Sequence, residues 1–233
     1  MKEAVENLLP AERDLFFALN GSDSVFLDQF FWTFTGRFVW VPLLLFLVVM
    51  FFYRSPRREG FLATVFLVLL FALCDQVSSG LFKPFFERFR PTHHPDFREL
   101  VDTVNNYRGG RFGFISGHAT NSFGIALFFS LLFRNRWITL PVFTWAILNS
   151  YSRIYLGVHF VSDILAGAII GSLLAWMLYE LYAWVRIRYF HVPVSESRLS
   201  AYPAKSSRIV GILFAIYILL ILFFSPFLAT LPH

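Results

Sequence analysis

Six stretches of this chain stay apolar for about the length of a membrane-crossing helix, and that repetition limits the possible folds. They run Gly36–Tyr53, Phe61–Phe82, His118–Phe133, Trp137–Ile154, Phe160–Val185 and Arg208–Thr230. About 20 mostly apolar residues cross the hydrocarbon as a helix. Inside lipid the backbone has no water to bond, so each such segment must satisfy its own amides and carbonyls. The expected fold is therefore all-α: a polytopic six-transmembrane-helix bundle forming one domain over residues 1–233. The third stretch is short and the fourth carries Asn149, Ser150 and Ser152, so both are expected to line a polar interior. Charged residues are 15% of the chain against 57% hydrophobic, too few to cover a soluble globule.

The first 35 residues read differently. Leu8–Leu19 and Ser24–Phe34 are amphipathic pieces split by Asn20-Gly21. Phe26, Phe30 and Phe34 share one helical face, so the second piece either lies in the membrane interface or extends the first span. Glu3, Glu6, Glu12 and Asp14 do not suit the basic start of a signal peptide, and none is expected. Cys74, the lone cysteine, excludes an internal disulfide and a thiolate metal cluster.

A net charge of +5 could suggest a nucleic-acid partner, but the basic residues sit at the ends of apolar runs, where they report topology instead. Arg54, Arg57, Arg58, Arg134, Arg136, Arg186, Arg188, Arg198, Lys205 and Arg208 fall on one side, with Glu59, Glu180 and Glu196 as the acids. That side is expected to be cytoplasmic. The loop Lys83–Gly117 and the turn around Tyr155–His159 then face outward, on the non-cytoplasmic side.

Three segments at that outer face collect the unusual polar residues: Lys83 to Arg90-Pro91, Ser116-Gly117-His118, and Ser152-Arg153 through His159 to Asp163. Three cations, Lys83, Arg90 and Arg153, suit a phosphate dianion and the charge that spreads over its oxygens during transfer. Ser116 and Gly117 open a helix, where free amides and the helix dipole favour an anion. Asp163 follows His159 by four residues, so on a helix the carboxylate holds the imidazole in one tautomer and stabilises its cation. That arrangement favours His159 as nucleophile and leaves His118 for proton transfer. A zinc reading of His118, His159 and Asp163 is opposed by the cations beside them.

These residues resemble the signature of the type 2 phosphatidic acid phosphatase and vanadium haloperoxidase superfamily. Its parts are Lys-x6-Arg-Pro, Pro-Ser-Gly-His and Ser-Arg-x5-His-x3-Asp, and the sole departure is Ile115 in place of the second part's proline. The resemblance implies a membrane bundle of that family with its catalytic motifs over residues 83–163. It also implies metal-independent hydrolysis of a lipid phosphomonoester or pyrophosphate, of the lipid A or undecaprenyl pyrophosphate type, with no cofactor. His159 would attack phosphorus and form a phosphohistidine, His118 would move the proton, and Lys83, Arg90, Ser116, Gly117 and Arg153 would hold the phosphate. The partners implied are a lipid phosphate and the bilayer, with no obligate protein partner. A lipid phosphotransferase, or a non-catalytic lipid-binding or transport protein, stays open on the same residues.

Four further readings complete the expectations. Asp75 is read as a structural counter-ion for Lys83 or Arg153, or a partner for Asn149. Gly167 and Gly171 form a Gly-x-x-x-Gly on the face of Asp163, as close helix packing needs. Arg108 and Arg111 either touch a second phosphate or sugar or belong to a solvated loop. His93, His94, His191 and His233 are read as structural.

Overall fold

The computed structural model describes residues 5–36 and 38–231, so Glu3 and His233 lie outside the described residues. Among those residues the regular structure is helical apart from one isolated antiparallel bridge, Phe89 to Phe112. The helices are α1 (Leu9–Leu19), α2 (Val25–Thr35), α3 (Val41–Phe52), α4 (Arg57–Phe86), α5 (Gly117–Phe133), α6 (Arg136–Tyr155), α7 (Val161–Phe190) and α8 (Ala204–Leu228). A 3-10 turn, Phe38–Trp40, leads into α3, and α4 contains a π-helical segment at Gln76–Phe82.

Three of these helices, α4, α7 and α8, are long and apolar enough to cross a membrane. A fourth crossing is formed if α2 and Phe38–Phe52, bent by 69°, count as one broken span. The expectation of six spans is met only to that extent, for reasons visible in each remaining segment. α3 has 12 residues, about 18 Å of helix against a hydrocarbon core of about 30 Å. α5 has only 17 residues, and α6 carries Asn149, Ser150, Ser152 and Arg153 into its last turns. α5 has no exposed residue, whereas α6 keeps Trp137, Leu140 and Ile147 on an outer face. α5 packs against α4, α6 and α7, while α6 is also covered by α2 and α8.

The second N-terminal piece is part of the bundle. Ser24 caps α2 by accepting from the Leu27 amide at 3.4 Å, and the helix buries Phe30, Phe31 and Phe34 against α6 and α8, leaving Phe26 exposed. Val68, Leu165, Ile169, Met177, Phe223 and Phe227 project outward from α4, α7 and α8. Large apolar side chains in such numbers on an outer surface suit lipid as the solvent.

The contact that sets the register is between α5 and α7. The buried stripe of α7 runs Asp163, Gly167, Gly171, Ala175, Tyr179, Tyr182 and Arg186, at helical spacing. A Cβ on Gly171 would stand 2.0 Å from the Thr120 carbonyl oxygen, and one on Gly167 would stand 2.7 Å from that of Ser116. The two backbones therefore touch, and the start of α5 is held level with the start of α7. Gly171→Ala should gain about 0.8–1.0 kcal/mol of helix propensity and lose about 1–3 kcal/mol to overpacking against a carbonyl that has little room to move. Net destabilisation and reduced activity are expected in detergent melts and turnover assays. Gly110→Ala, where a Cβ meets nothing within 4 Å, is the neutral control.

Candidate active site

Lys83 near the end of α4, Arg90 in the segment after it, Gly117 and His118 opening α5, Arg153 in the last turn of α6, and His159 just before α7 all line one cavity of about 550 Å³. The chain brings them together because α5 and α7 start side by side. The link is a backbone hydrogen bond from the Ser116 amide to the Asp163 carbonyl at 3.0 Å.

His159 is buried, and both ring nitrogens are engaged. Nδ1 lies 3.1 Å from Asp163 Oδ2, and Nε2 lies 2.9 Å from Arg90 Nη1. Arg90 has only donors, so Nε2 must be the unprotonated nitrogen and Nδ1 carries the proton donated to Asp163. The ring is thus fixed in the tautomer that presents a lone pair on the cavity side. Burial, followed by the charges of Arg90, Arg153, Lys83 and Arg88, holds the His159 pKa well below its ordinary 6.5. The Arg90 guanidinium is also pushed down, to about 10, by burial and then by Arg153.

The remaining cations are placed by polar side chains. Lys83 Nζ donates to Ser79 Oγ at 3.0 Å. Arg153 donates from Nη1 to Thr35 Oγ1 at 2.6 Å and from Nη2 to the Tyr107 hydroxyl at 3.1 Å. Arg90 Nη1 also donates to the Val158 carbonyl at 3.0 Å. Buried Nε atoms of Arg90 and Arg153 have no hydrogen-bond partner among the described residues.

Sequence reasoning missed a second layer behind His159. Arg88 is fully buried and bridges two carboxylates, donating from Nη1 to Asp163 Oδ1 at 2.9 Å and from Nη2 to Glu12 Oε1. Its guanidinium lies 4.4 Å from the centre of the Phe160 ring. Glu12, on α1, accepts in turn from the Ser162 amide and hydroxyl, both at 3.0 Å. The N-terminal helix thereby clasps the first turn of α7. The available signal was Arg88 standing two residues before Arg90, and a lone acid facing the bundle from an amphipathic helix.

Other sequence-named residues fall elsewhere. Ser116 is buried behind the cavity wall: its amide is spent on Asp163, and its hydroxyl caps the Ala119 amide at 3.4 Å. The expectation that Ser116 offers a free amide to an anion is corrected accordingly, and the first helical amides, Gly117 and His118, remain for that purpose. Ile115 is fully buried and does not prevent this cap. The Asp75 side chain makes no hydrogen bond or close ion pair among the described residues; it faces the cavity, and its charge acts on Lys83 only at longer range. Arg108 donates back to the Thr92 carbonyl at 3.4 Å, and Arg111 stacks over Phe89 and Phe112, both outside the cavity lining. His94 stacks on Phe97, and His191 caps the end of α7. No three His, Cys, Asp or Glu side chains among the described residues come together as a metal site.

Arg88→Leu removes the shared cation from two buried carboxylates. A loss of about 3–5 kcal/mol is expected from leaving buried charge unpaired, measured by thermal unfolding in detergent. At temperatures where the variant stays folded, kcat should fall more than KM rises, since the groups lining the cavity are intact.

The family model described as the PAP2 superfamily matches residues 60–187. The lipid A 4'-phosphatase of Porphyromonas gingivalis is 40% identical over 216 residues, covering 91% of this chain and 92% of that protein. The lipid A 4'-phosphatase of Bacteroides thetaiotaomicron is 38% identical, covering 75% of this chain and 78% of its own length. Among solved structures, the transmembrane PAP2-type phosphatidylglycerolphosphate phosphatase of Bacillus subtilis superposes with a TM-score of 0.57 at 26% identity, over 78% of this chain and 89% of that one. With the helices, the cavity and the three motif segments in these positions, the chain belongs to the PAP2 superfamily.

Proposed function

We propose that this protein is a multi-pass membrane phosphatase that removes a phosphate ester from a sugar-bearing lipid of the lipid A type. The observation that carries the reading is His159, held between Asp163 and Arg90 in a cavity it shares with His118, Lys83 and Arg153. The two lipid A 4'-phosphatase relatives support the substrate class.

Lys83, Arg90, Arg153 and the Gly117 amide hold the phosphate oxygens, and Arg90 leaves His159 to do so. Nε2 of His159 then attacks phosphorus. The P–N bond forms as the P–O bond to the lipid alcohol breaks, and the departing oxygen takes a proton from His118, which the negative charge of the bound phosphate favours in its protonated form amid the cations. Asp163 stabilises the cationic His159 that results. Neutral His118 next removes a proton from water, and the water oxygen displaces His159 from phosphorus. Inorganic phosphate leaves, and His118 is protonated for another turnover. The fixed cations stabilise the transferring group by preorganised charge.

The same reading treats residues 1–233 as one catalytic unit, with α3, α5 and α6 completing a six-span bundle around the cavity. α4 runs from the Arg57 end to the Lys83 end, and α7 runs from Asp163 to Arg186, so the cavity lies at the pole opposite the basic loops. By the rule that places short basic loops in the cytoplasm, the cavity opens to the periplasmic face of an inner membrane.

Purified protein should release phosphate from lipid A in the presence of a chelator and be inhibited by vanadate. His118→Ala should lower kcat by about 10²–10⁴-fold, and His159→Ala should lower it further while abolishing any acid-labile phosphoenzyme trapped with labelled substrate. Activity that needs added magnesium and ignores vanadate would overturn the mechanism. The active nucleophile is neutral imidazole, and its pKa is depressed. The acid limb of kcat/KM, corrected for the substrate's own ionisation, should therefore lie well below pH 6.5.

A further inference from the structure

The cavity is deeper than a phosphate requires, and its lining changes character along its length. Four residues of α-helix advance about 6 Å. On α6 the lining residues are Arg153, then Asn149, then Trp145, and on α5 they run His118, then Asn121 and Ser122, then Ile125. α4 contributes Lys83 and Ser79, then Asp75, then Phe71. A layer of cations and imidazoles thus gives way to a layer of neutral and anionic oxygens, and then to aromatic and aliphatic walls.

The middle layer is unsatisfied in a specific way. Asn121 Oδ1 is buried with no hydrogen-bond partner among the described residues. Asn149 spends its amide nitrogen on Ser122 Oγ at 2.6 Å, leaving its oxygen as an acceptor, and the Asp75 carboxylate faces the same space with no hydrogen-bond donor on it among the described residues. Trp145 Nε1, a donor, is likewise buried and unpaired at the edge of this layer. Buried polar atoms are normally bonded, and each orphan costs about 1–3 kcal/mol. For a second phosphate, Asp75 and the two amide oxygens are repulsive, and Trp145 Nε1 is a single neutral donor set against them. A hydroxyl answers both needs, because it donates and accepts.

Resting on the phosphatase reading above, we infer that Asp75, Asn121, Asn149 and Trp145 form a leaving-group subsite that takes the hydroxyl-bearing sugar ring to which the scissile phosphate is attached. The cation layer reads the phosphate, and this layer selects a polyol over an apolar or second anionic group. A site built to bond hydroxyls discriminates against analogues lacking them far more strongly than an apolar slot does.

The test compares phosphate release by the full chain from lipid A, from a polyprenyl monophosphate and from a polyprenyl diphosphate. Wild-type kcat/KM should be highest for lipid A. Asn121→Ala should shrink the preference for lipid A over the polyprenyl monophosphate by about 10–100-fold, the worth of one lost buried hydrogen bond. Asp75→Asn keeps the shape and removes the charge, so it should raise relative use of the diphosphate even if Asn121→Ala fails to fold. Thermal shifts with the same three lipids give a readout independent of turnover. Equal turnover of all three lipids by wild type, or proportional losses across all three in both variants, would reject the subsite and leave the phosphatase reading standing. No release from any lipid, with stabilisation by lipid A that Asn121→Ala abolishes, would reject the phosphatase reading and the leaving-group role with it, and leave only a sugar-binding layer.

Discussion

Asp163 has no exposure to solvent, and a carboxylate in that setting is costly unless its oxygens are used and its charge is answered. Here Oδ2 accepts from the Phe160 amide at 3.1 Å and takes the His159 Nδ1 proton, while Oδ1 accepts from Arg88 at 2.9 Å. Its backbone carbonyl ties down Ser116. One residue therefore sets the tautomer of the proposed nucleophile, fixes the loop before α7, and joins the start of α5 to the start of α7. Arg88 and Glu12 exist in the interior because that charge needs a counter-ion, and the counter-ion needs one in turn.

The cavity side of His159 is arranged on the opposite principle. Lys83, Arg90 and Arg153 converge with hydroxyls, a carbonyl and a ring nitrogen as partners, and among the described residues no carboxylate pairs with any of them within ion-pair distance. Neutral partners hold the side chains in place without cancelling their charge. The bundle thus satisfies its structural charge behind the histidine and leaves positive charge unsatisfied in front of it, which is the electrostatic condition for binding an anion.

Much of this was legible in the sequence. α4 to α8 each begin and end within five residues of an expected apolar stretch, because hydrophobic length decides them. The Gly167/Gly171 spacing signalled a close helix contact, and the structure shows α5 as its partner. Lys83, Arg90, His118, Arg153 and His159 stood out because ionisable residues are rare at membrane level and theirs fell in three short segments. The remainder depends on partners far apart in the chain. Arg88 meets Glu12 across 76 positions, and Arg153 meets Tyr107 across 46 and Thr35 across 118. Spacing within a segment holds no information about such pairs. The broken first span was hidden for another reason: α2 and α3 are both apolar, and hydropathy does not register a bend.

The hydrogen bond from Arg90 to Nε2 of His159 has a consequence for how the protein treats foreign molecules. The lone pair that would react is covered by a cation, and only something that draws that cation harder exposes it. A neutral electrophile of suitable size finds the nitrogen occupied, whereas an oxyanion releases it by binding. On the proposed mechanism the nucleophile is in effect locked with a charged key, and selectivity for anions would begin before any bond to phosphorus is made.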